Sequence, residues 1–254
     1  MRVLLTLRYD GTAYHGWQVQ QNALAVQPVV QDALQRVLGH RPGLSGCSRT
    51  DSGVHANMYC CHFDSDGGPD PARLPAALNA ALPRDIAVTS AREVPPDFHA
   101  RYSCTGKAYV YRILNSRVRD PFEDAYCLTV HTPLDVERLN RAAAAFLGRH
   151  DFSSFCAARA KEGDPTRTVT DCRFDRQGDL VRLTVAADGF LYNMVRIMTG
   201  TLLQVAFGRW QPCDVSRILA ACDRRQAGPT APARGLFLDR VFYPDSALGG
   251  VSLG

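Results

Sequence analysis

The chain has 254 residues, 46% of them apolar and 21% charged, with a mean hydropathy of −0.17 and a formal net charge of +4. That composition excludes an intrinsically disordered chain and suffices for a buried core in one large domain or two small lobes. No apolar run approaches the roughly 20 residues that a bilayer-spanning helix needs, and the modest positive charge permits a nucleic-acid partner without establishing one.

In chain order, residues 2–9 (RVLLTLRY) read as a strand. Their apolar run is broken at Thr6 and Arg8 and is too short for a signal-peptide core, so a cytoplasmic protein with no membrane partner is expected. Residues 26–38 place Val26, Val29, Val30, Ala33, Leu34, Val37 and Leu38 at helical spacing, with Pro28 in the first turn and Gly39 as a stop. A strand over 54–65, a short helix through Leu74, Leu78 and Leu82 ended by Pro83, and a strand over 86–93 complete a first lobe. Its strand–helix–strand–helix–strand order is compatible with a ferredoxin-like unit.

The plan repeats beyond Pro95-Pro96. Residues 107–114 read as a strand, and Val136, Leu139, Ala142, Ala143 and Phe146 mark a helix. Residues 168–174 and 179–187 form a hairpin across Arg176-Gln177-Gly178. A long apolar helix over 191–207, a shorter one around Val215, Ile218 and Leu219, and a strand over 236–243 follow. The expected domains are 1–96 and 97–254, with 97–101 as a bridge. The loop 157–166 is polar and is expected to be mobile.

Nine cysteines are an odd number without any C-x-x-C spacing, and most sit in apolar segments. They read as reduced, small hydrophobic residues. Cys60, Cys61, His62 and His55 suggest a metal site only superficially, because adjacent strand residues point to opposite faces. No metal ligand set is expected. Lys107 and Lys161 are the only lysines among 29 basic residues, leaving 27 arginines. Arginine grips phosphate and stacks on bases; codon bias in a GC-rich genome yields the same excess.

GCSRTDSGVHA (46–56) holds one carboxylate, Asp51, among small and turn-forming residues, with Arg49 two places before it. The nearest other acids are Asp32 and Asp64, so the paired-carboxylate chemistry of glycosidases has no local partner. A lone Asp on such a turn suits a nucleophile or an electrostatic group. It equally suits an Asx-turn, in which the side chain caps its own backbone.

This stretch resembles the G-R-T-D-[AS]-G-V-H-[AG] signature of TruA-type tRNA pseudouridine synthases. Five further stretches resemble the same family in order: YDGTAYHGWQ (9–18), DFHARYSCTGKAYVY (97–111), HDFSSF (150–155), the surroundings of FLYNMVR (190–196), and APARGLFL (231–238) with VFYP (241–244). Ser48 replaces the usual Gly and Ser52 the usual Ala, both small. The resemblance implies an α+β fold: two ferredoxin-like or RRM-like lobes sharing a continuous, mostly antiparallel sheet flanked by helices, with an active-site cleft between them. It implies isomerisation of uridine to pseudouridine at positions 38, 39 and 40 of the tRNA anticodon stem-loop, by a homodimer, with no cofactor.

The resemblance also assigns roles. Asp51 is the nucleophile toward a flipped-out uridine, attacking the ribose C1′ or the base or supporting a glycal-type route, and Arg196 its pairing arginine. An Arg in so apolar a helix otherwise snorkels or contacts phosphate. Tyr109 is selected for stacking on the uracil or moving a proton, over Tyr111 on the same strand face; an ordinary aromatic cluster is the alternative. Leu236 matches the family leucine that packs on the target base, a core leucine being the alternative. Arg49 matches the arginine that occupies the vacated base position or holds the flipped nucleotide, a turn-surface Arg being the alternative. Arg101 is expected to touch RNA backbone. His55 and His99 read as structural. The competitors are a synthase acting on another RNA or position, a catalytically idle RNA-binding module, and a hydrolase that releases free uracil.

Overall fold

Apolar periodicity becomes structure at nearly the expected places. A computed structural model of the chain describes residues 1–157 and 163–250, so part of the loop expected to be mobile lies outside the described residues. In order the elements are β1 (Arg2–Tyr9), α1 (Val26–Leu38), β2 (Ser45–Gly46), β3 (His55–Asp64), α2 (Leu74–Ala81), β4 (Ile86–Val94), β5 (Gly106–Leu114), β6 (Leu128–Thr129), α3 (Val136–Ala143), β7 (Gly148–Asp151), β8 (Thr166–Gln177), β9 (Leu180–Ala187), α4 (Met194–Ala206), α5 (Asp214–Ala220) and β10 (Leu236–Phe242). The protein is α+β, and its strands pair mostly antiparallel.

Contacts divide the chain into Met1–Lys107 with Phe237–Gly254, and Ala108–Leu236. The division therefore falls inside β5, not at Pro95-Pro96, and the C-terminal strand returns to the first unit. Residues 98–103 explain the shift. The Ala100 amide donates to His62 Nδ1 (3.1 Å), Arg2 donates to the Phe98 carbonyl (2.8 Å), and the Tyr243 hydroxyl donates to the Ala100 carbonyl. Phe98 is 1% exposed. The segment is thus part of the first core and not a linker.

In the first unit the strand order is β4-β1-β3-β10, with β2 on β3. β1 runs antiparallel to both β3 and β4, and β10 adds in parallel through Phe237 beside His55 and Leu238 beside Ala56. β1 is buried at six of its eight residues, in line with its near-continuous apolar run. Of the predicted stripe, helix α1 buries Val26, Val30, Ala33 and Leu34, while Val29, Val37 and Leu38 are half-buried. In the second unit the order is β5-β9-β8-β7, with β6 parallel to β5. The expected β8–β9 hairpin forms, but its turn is Gly178-Asp179: Arg176 and Gln177, expected in the turn, still pair with Val181 and Leu180. Helix α4 buries 11 of its 13 residues. It begins at Met194 instead of the expected 191, because Asn193 sits in the left-handed region (φ 61°) and interrupts the helical path.

All nine cysteines are free, and only Cys213 and Cys222 are exposed. Burial pushes the Cys47 thiol up to about 12 and those of Cys60 and Cys61 well above the usual range, so these remain neutral packing groups.

One buried histidine sets an acid limit on the first unit. His62 is 5% exposed and accepts the Ala100 amide, and burial lowers its pKa to about 4. Unfolded, it would titrate near 6.5. Between those values the unfolded chain binds more protons, so stability is full above about pH 6.5 and is lost as pH falls toward 4. Urea unfolding at pH 7.5 and 4.5 should differ through this residue by at most about 3 kcal/mol. His62→Asn, whose amide oxygen can accept the same N–H, should flatten that part of the profile. An unchanged slope in the variant would remove His62 as the cause.

Candidate active site

In the first unit Asp51 lies on the loop between β2 and β3, half-buried, with Arg49 exposed and Thr50 8% exposed. The backbone around it is held from several sides. Trp17 N–H donates to the Thr50 carbonyl (3.3 Å), Gly53 N–H to the Tyr14 carbonyl (3.0 Å), and Val54 N–H to the Asp51 carbonyl (3.2 Å). The Thr50 hydroxyl meets that of Tyr9 at 2.9 Å. The amide that an Asx-turn at Asp51 would use, that of Gly53, is therefore engaged by Tyr14.

The segment 11–17 is the brace for this loop. Gly16 has φ 87°, and a Cβ there would collide with the Thr50 and Asp51 backbone, so a side chain is excluded twice over. Trp17 stacks on Tyr59 with ring centroids 4.0 Å apart, and the Tyr59 hydroxyl donates to the Ser48 carbonyl. Tyr14 donates to Asp85 (2.8 Å); burial and that carboxylate push its phenol pKa up, so it stays a neutral donor. His55, 1% exposed, accepts the Gly11 amide at Nδ1 (3.0 Å) and stacks on Phe237 at 4.6 Å. A carboxylate on so constrained a loop is held in place before any substrate arrives.

Arg101 belongs to the same unit but to another turn. It is exposed, and its guanidinium lies 5.8 Å from the centre of the Tyr102 ring. His99 Nδ1 accepts the Arg101 and Tyr102 amides (3.1 and 3.3 Å). His99 thus shapes the turn that displays Arg101, in line with a structural reading.

The second unit holds Tyr109, Arg196 and Leu236. Tyr109 on β5 is 7% exposed and meets Phe190 edge-to-face at 5.0 Å. Arg196, in the first turn of α4, is half-buried. Its Nε donates to the Ala231 carbonyl (2.8 Å) and another guanidinium nitrogen donates to Asn193 Oδ1 (2.7 Å), while the Ala231 amide donates back to the Arg196 carbonyl (3.0 Å). These bonds fix the guanidinium, so it is neither a snorkelling group nor a loose surface charge. Segment 228–231 can reach α4 because Gly228 approaches Thr201 closely and its amide donates to the Thr201 hydroxyl (2.9 Å). Leu236, the first residue of β10, is 5% exposed.

Sequence reasoning did not single out Tyr14, Gly16, Trp17, Thr50 or Asn193. All lie inside the quoted motifs. Asn193 before an apolar helical run carried the usual N-cap signal, but its side chain serves Arg196 and caps no amide. Among the described residues, no group of three or more His, Cys, Asp or Glu side chains is placed to hold a metal ion, and no helix is long and apolar enough to cross a membrane.

Three similar proteins carry closely related names. A Thermoanaerobacter protein, "tRNA pseudouridine synthase A", is 43% identical over 241 residues, covering 95% of this chain and 99% of its own. A protein of the same name from Halalkalibacterium halodurans is 45% identical over 240 residues, covering 94% and 91%. "tRNA pseudouridine synthase A 2" from Clostridium perfringens is 42% identical over 241 residues, covering 95% and 99%. A solved chain of a Cbf5–Nop10–Gar1 complex aligns over 93% of this chain and 57% of that chain at 11% identity and a TM-score of 0.39, too distant to carry a conclusion. The family model described as tRNA pseudouridine synthase matches residues 6–103 and 142–244, which include the braced Asp51 loop and Arg196. With the match spanning most of its length, this chain belongs to the tRNA pseudouridine synthases, an isomerase family.

Proposed function

We propose that this protein isomerises uridine to pseudouridine at positions 38, 39 and 40 of the tRNA anticodon stem-loop, with Asp51 as the nucleophile. The observation that carries the reading is the Asp51 loop. Its backbone is bonded on both sides of the carboxylate, and the Gly53 amide is engaged by Tyr14. The reaction breaks the N1–C1′ bond, turns the uracil, and forms the C5–C1′ bond. The C5 proton is released and N1 acquires one, so atoms and electrons balance without water or an oxidant.

The base must leave its stack before a carboxylate can reach it. Arg49 is suited to hold the flipped nucleotide and Arg101 to contact phosphate, since both guanidinium groups are exposed. Arg196, whose guanidinium is oriented by Asn193 and Ala231, is the residue that the resemblance assigns as the pairing arginine of the catalytic carboxylate. Tyr109 and Leu236 offer a buried aromatic and a buried aliphatic face to the uracil. No step calls for a metal or a nucleotide cofactor. The protein acts in the cytoplasm as a homodimer, because a 27.9 kDa protomer is small beside a tRNA and a pair widens the basic surface.

The test is incubation with unmodified tRNA carrying C5-tritiated uridine, in EDTA-containing buffer, followed by carbodiimide treatment and mapping by reverse transcription. Tritium release with stops at the three anticodon-arm positions is expected. Stops elsewhere would reassign the specificity, free uracil would make the protein a hydrolase, and binding without release would leave an RNA-binding module.

A further inference from the structure

We propose that the loop around Arg117–Phe122, in the second unit, is an additional RNA-contacting surface in which Phe122 stacks on a base and Arg117 and Arg119 hold the adjoining phosphates. The inference deepens the reading above and rests on this chain acting on tRNA. Phe122 is 87% exposed, the most exposed large hydrophobic residue among the described residues, and Val118 is 74% exposed. Neither side chain makes a ring contact among the described residues.

The display is built by the loop's own bonds. Asp120 Oδ1 accepts the Phe122 amide (2.9 Å), the Asp120 carbonyl accepts the Glu123 amide (3.2 Å), and the Glu123 carbonyl accepts the Tyr126 amide (2.8 Å). Arg112 anchors Glu123 (2.7 Å), and His131 Nδ1 meets the Ser116 carbonyl (2.9 Å). A fixed turn that holds a phenyl ring in water gains nothing for folding, since that ring removes no apolar area from solvent.

Charge identifies the occupant. The acids of the loop are committed: Asp120 to the Phe122 amide, Glu123 to Arg112, and Asp124 toward Arg234 at 3.9 Å. Arg117 and Arg119 are exposed and make no ion pair among the described residues. The tip is therefore cationic and aromatic, the pairing that suits a single-stranded or splayed nucleotide. A second copy fits less well, because a two-fold contact would bring the same arginines face to face. The loop also falls between the two segments that the family model matches, 6–103 and 142–244.

The experiment measures tRNA affinity, its salt dependence and sedimentation for the wild type, Phe122→Ala, Phe122→Tyr and the double variant Arg117→Ala/Arg119→Ala, using unmodified tRNA transcript. Phe122→Ala should weaken binding by about 5-fold or more, the low end of what one base–aromatic stack is worth. Phe122→Tyr should bind nearly as the wild type does. The double variant should lower the log–log salt slope by about 1.4–1.8, at 0.7–0.9 per phosphate contact. Turnover at saturating tRNA and sedimentation should not change. Unchanged affinity and slope would overturn the proposal, as would a shift of Phe122→Ala to a smaller species, which would assign the loop to contact between copies. A wild type that releases no tritium would instead sink the catalytic reading, and the two failures are told apart in the same series.

Discussion

Asp51→Asn is expected to abolish pseudouridine formation, on the order of 10³-fold or more, while leaving tRNA affinity within about twofold. The amide keeps the size of the side chain and much of its hydrogen bonding, and it removes the nucleophilic charge. Most of the bonds that hold the loop are made by backbone groups of Thr50, Asp51, Gly53 and Val54, so they survive the substitution. The fold should survive too, since the Tyr9–Thr50 and Trp17–Tyr59 contacts do not involve the Asp51 side chain. The measurement is single-turnover tritium release beside filter binding on the same tRNA. Release near the wild-type rate would remove Asp51 from the mechanism. Loss of binding together with activity would make it a structural residue of the loop.

Much of the fold is legible in local pattern. The limits of β1 and α1 follow from apolar periodicity and from Gly39, which takes the left-handed conformation (φ 78°) that ends the helix. The elements that escape are β2, β6 and β7, two to four residues long, too short to show a period. The start of α4 escapes for another reason: the Asn193 side chain accepts from Arg196 instead of capping the helix, and Arg196 is in turn bonded to Ala231, 35 residues on. The boundary between the units escapes because Phe98 and Ala100 are claimed by Arg2, His62 and Tyr243, residues remote along the chain.

The site divides in the same way. Resemblance singled out Asp51 and Arg196, each by residue type and flanking pattern. The brace that makes Asp51 a candidate catalyst is a set of long-range contacts. Tyr14 and Trp17 meet the loop from more than thirty positions away, and nothing in YDGTAYHGWQ says that its second glycine lies against Thr50. The exposed ring of Phe122 was likewise invisible, since burial is a property of the fold and not of the residue.

Tyr109 and Tyr111 should separate chemistry from stability. The two lie on one face of β5 but in different surroundings. Tyr111 is fully buried, and its hydroxyl donates to the Pro232 carbonyl (2.7 Å). Gly235 packs directly against its ring. Tyr111→Ala should therefore cost about 3–5 kcal/mol of stability, and Tyr111→Phe about 1–2 kcal/mol for the lost buried hydrogen bond. Tyr109 is 7% exposed and touches Phe190 by its edge. If its ring only stacks on the uracil, Tyr109→Phe should keep much of the activity and Tyr109→Ala should lose about 1–3 kcal/mol of transition-state binding, or about 5- to 150-fold. If its hydroxyl moves the C5 proton, Tyr109→Phe alone should slow the chemical step by about 10²–10⁴-fold while tRNA affinity holds. Urea titration and single-turnover rates on the four variants decide between them. Normal turnover by Tyr109→Ala, beside a folded but inactive Tyr111→Phe, would transfer the catalytic assignment from Tyr109 to its neighbour.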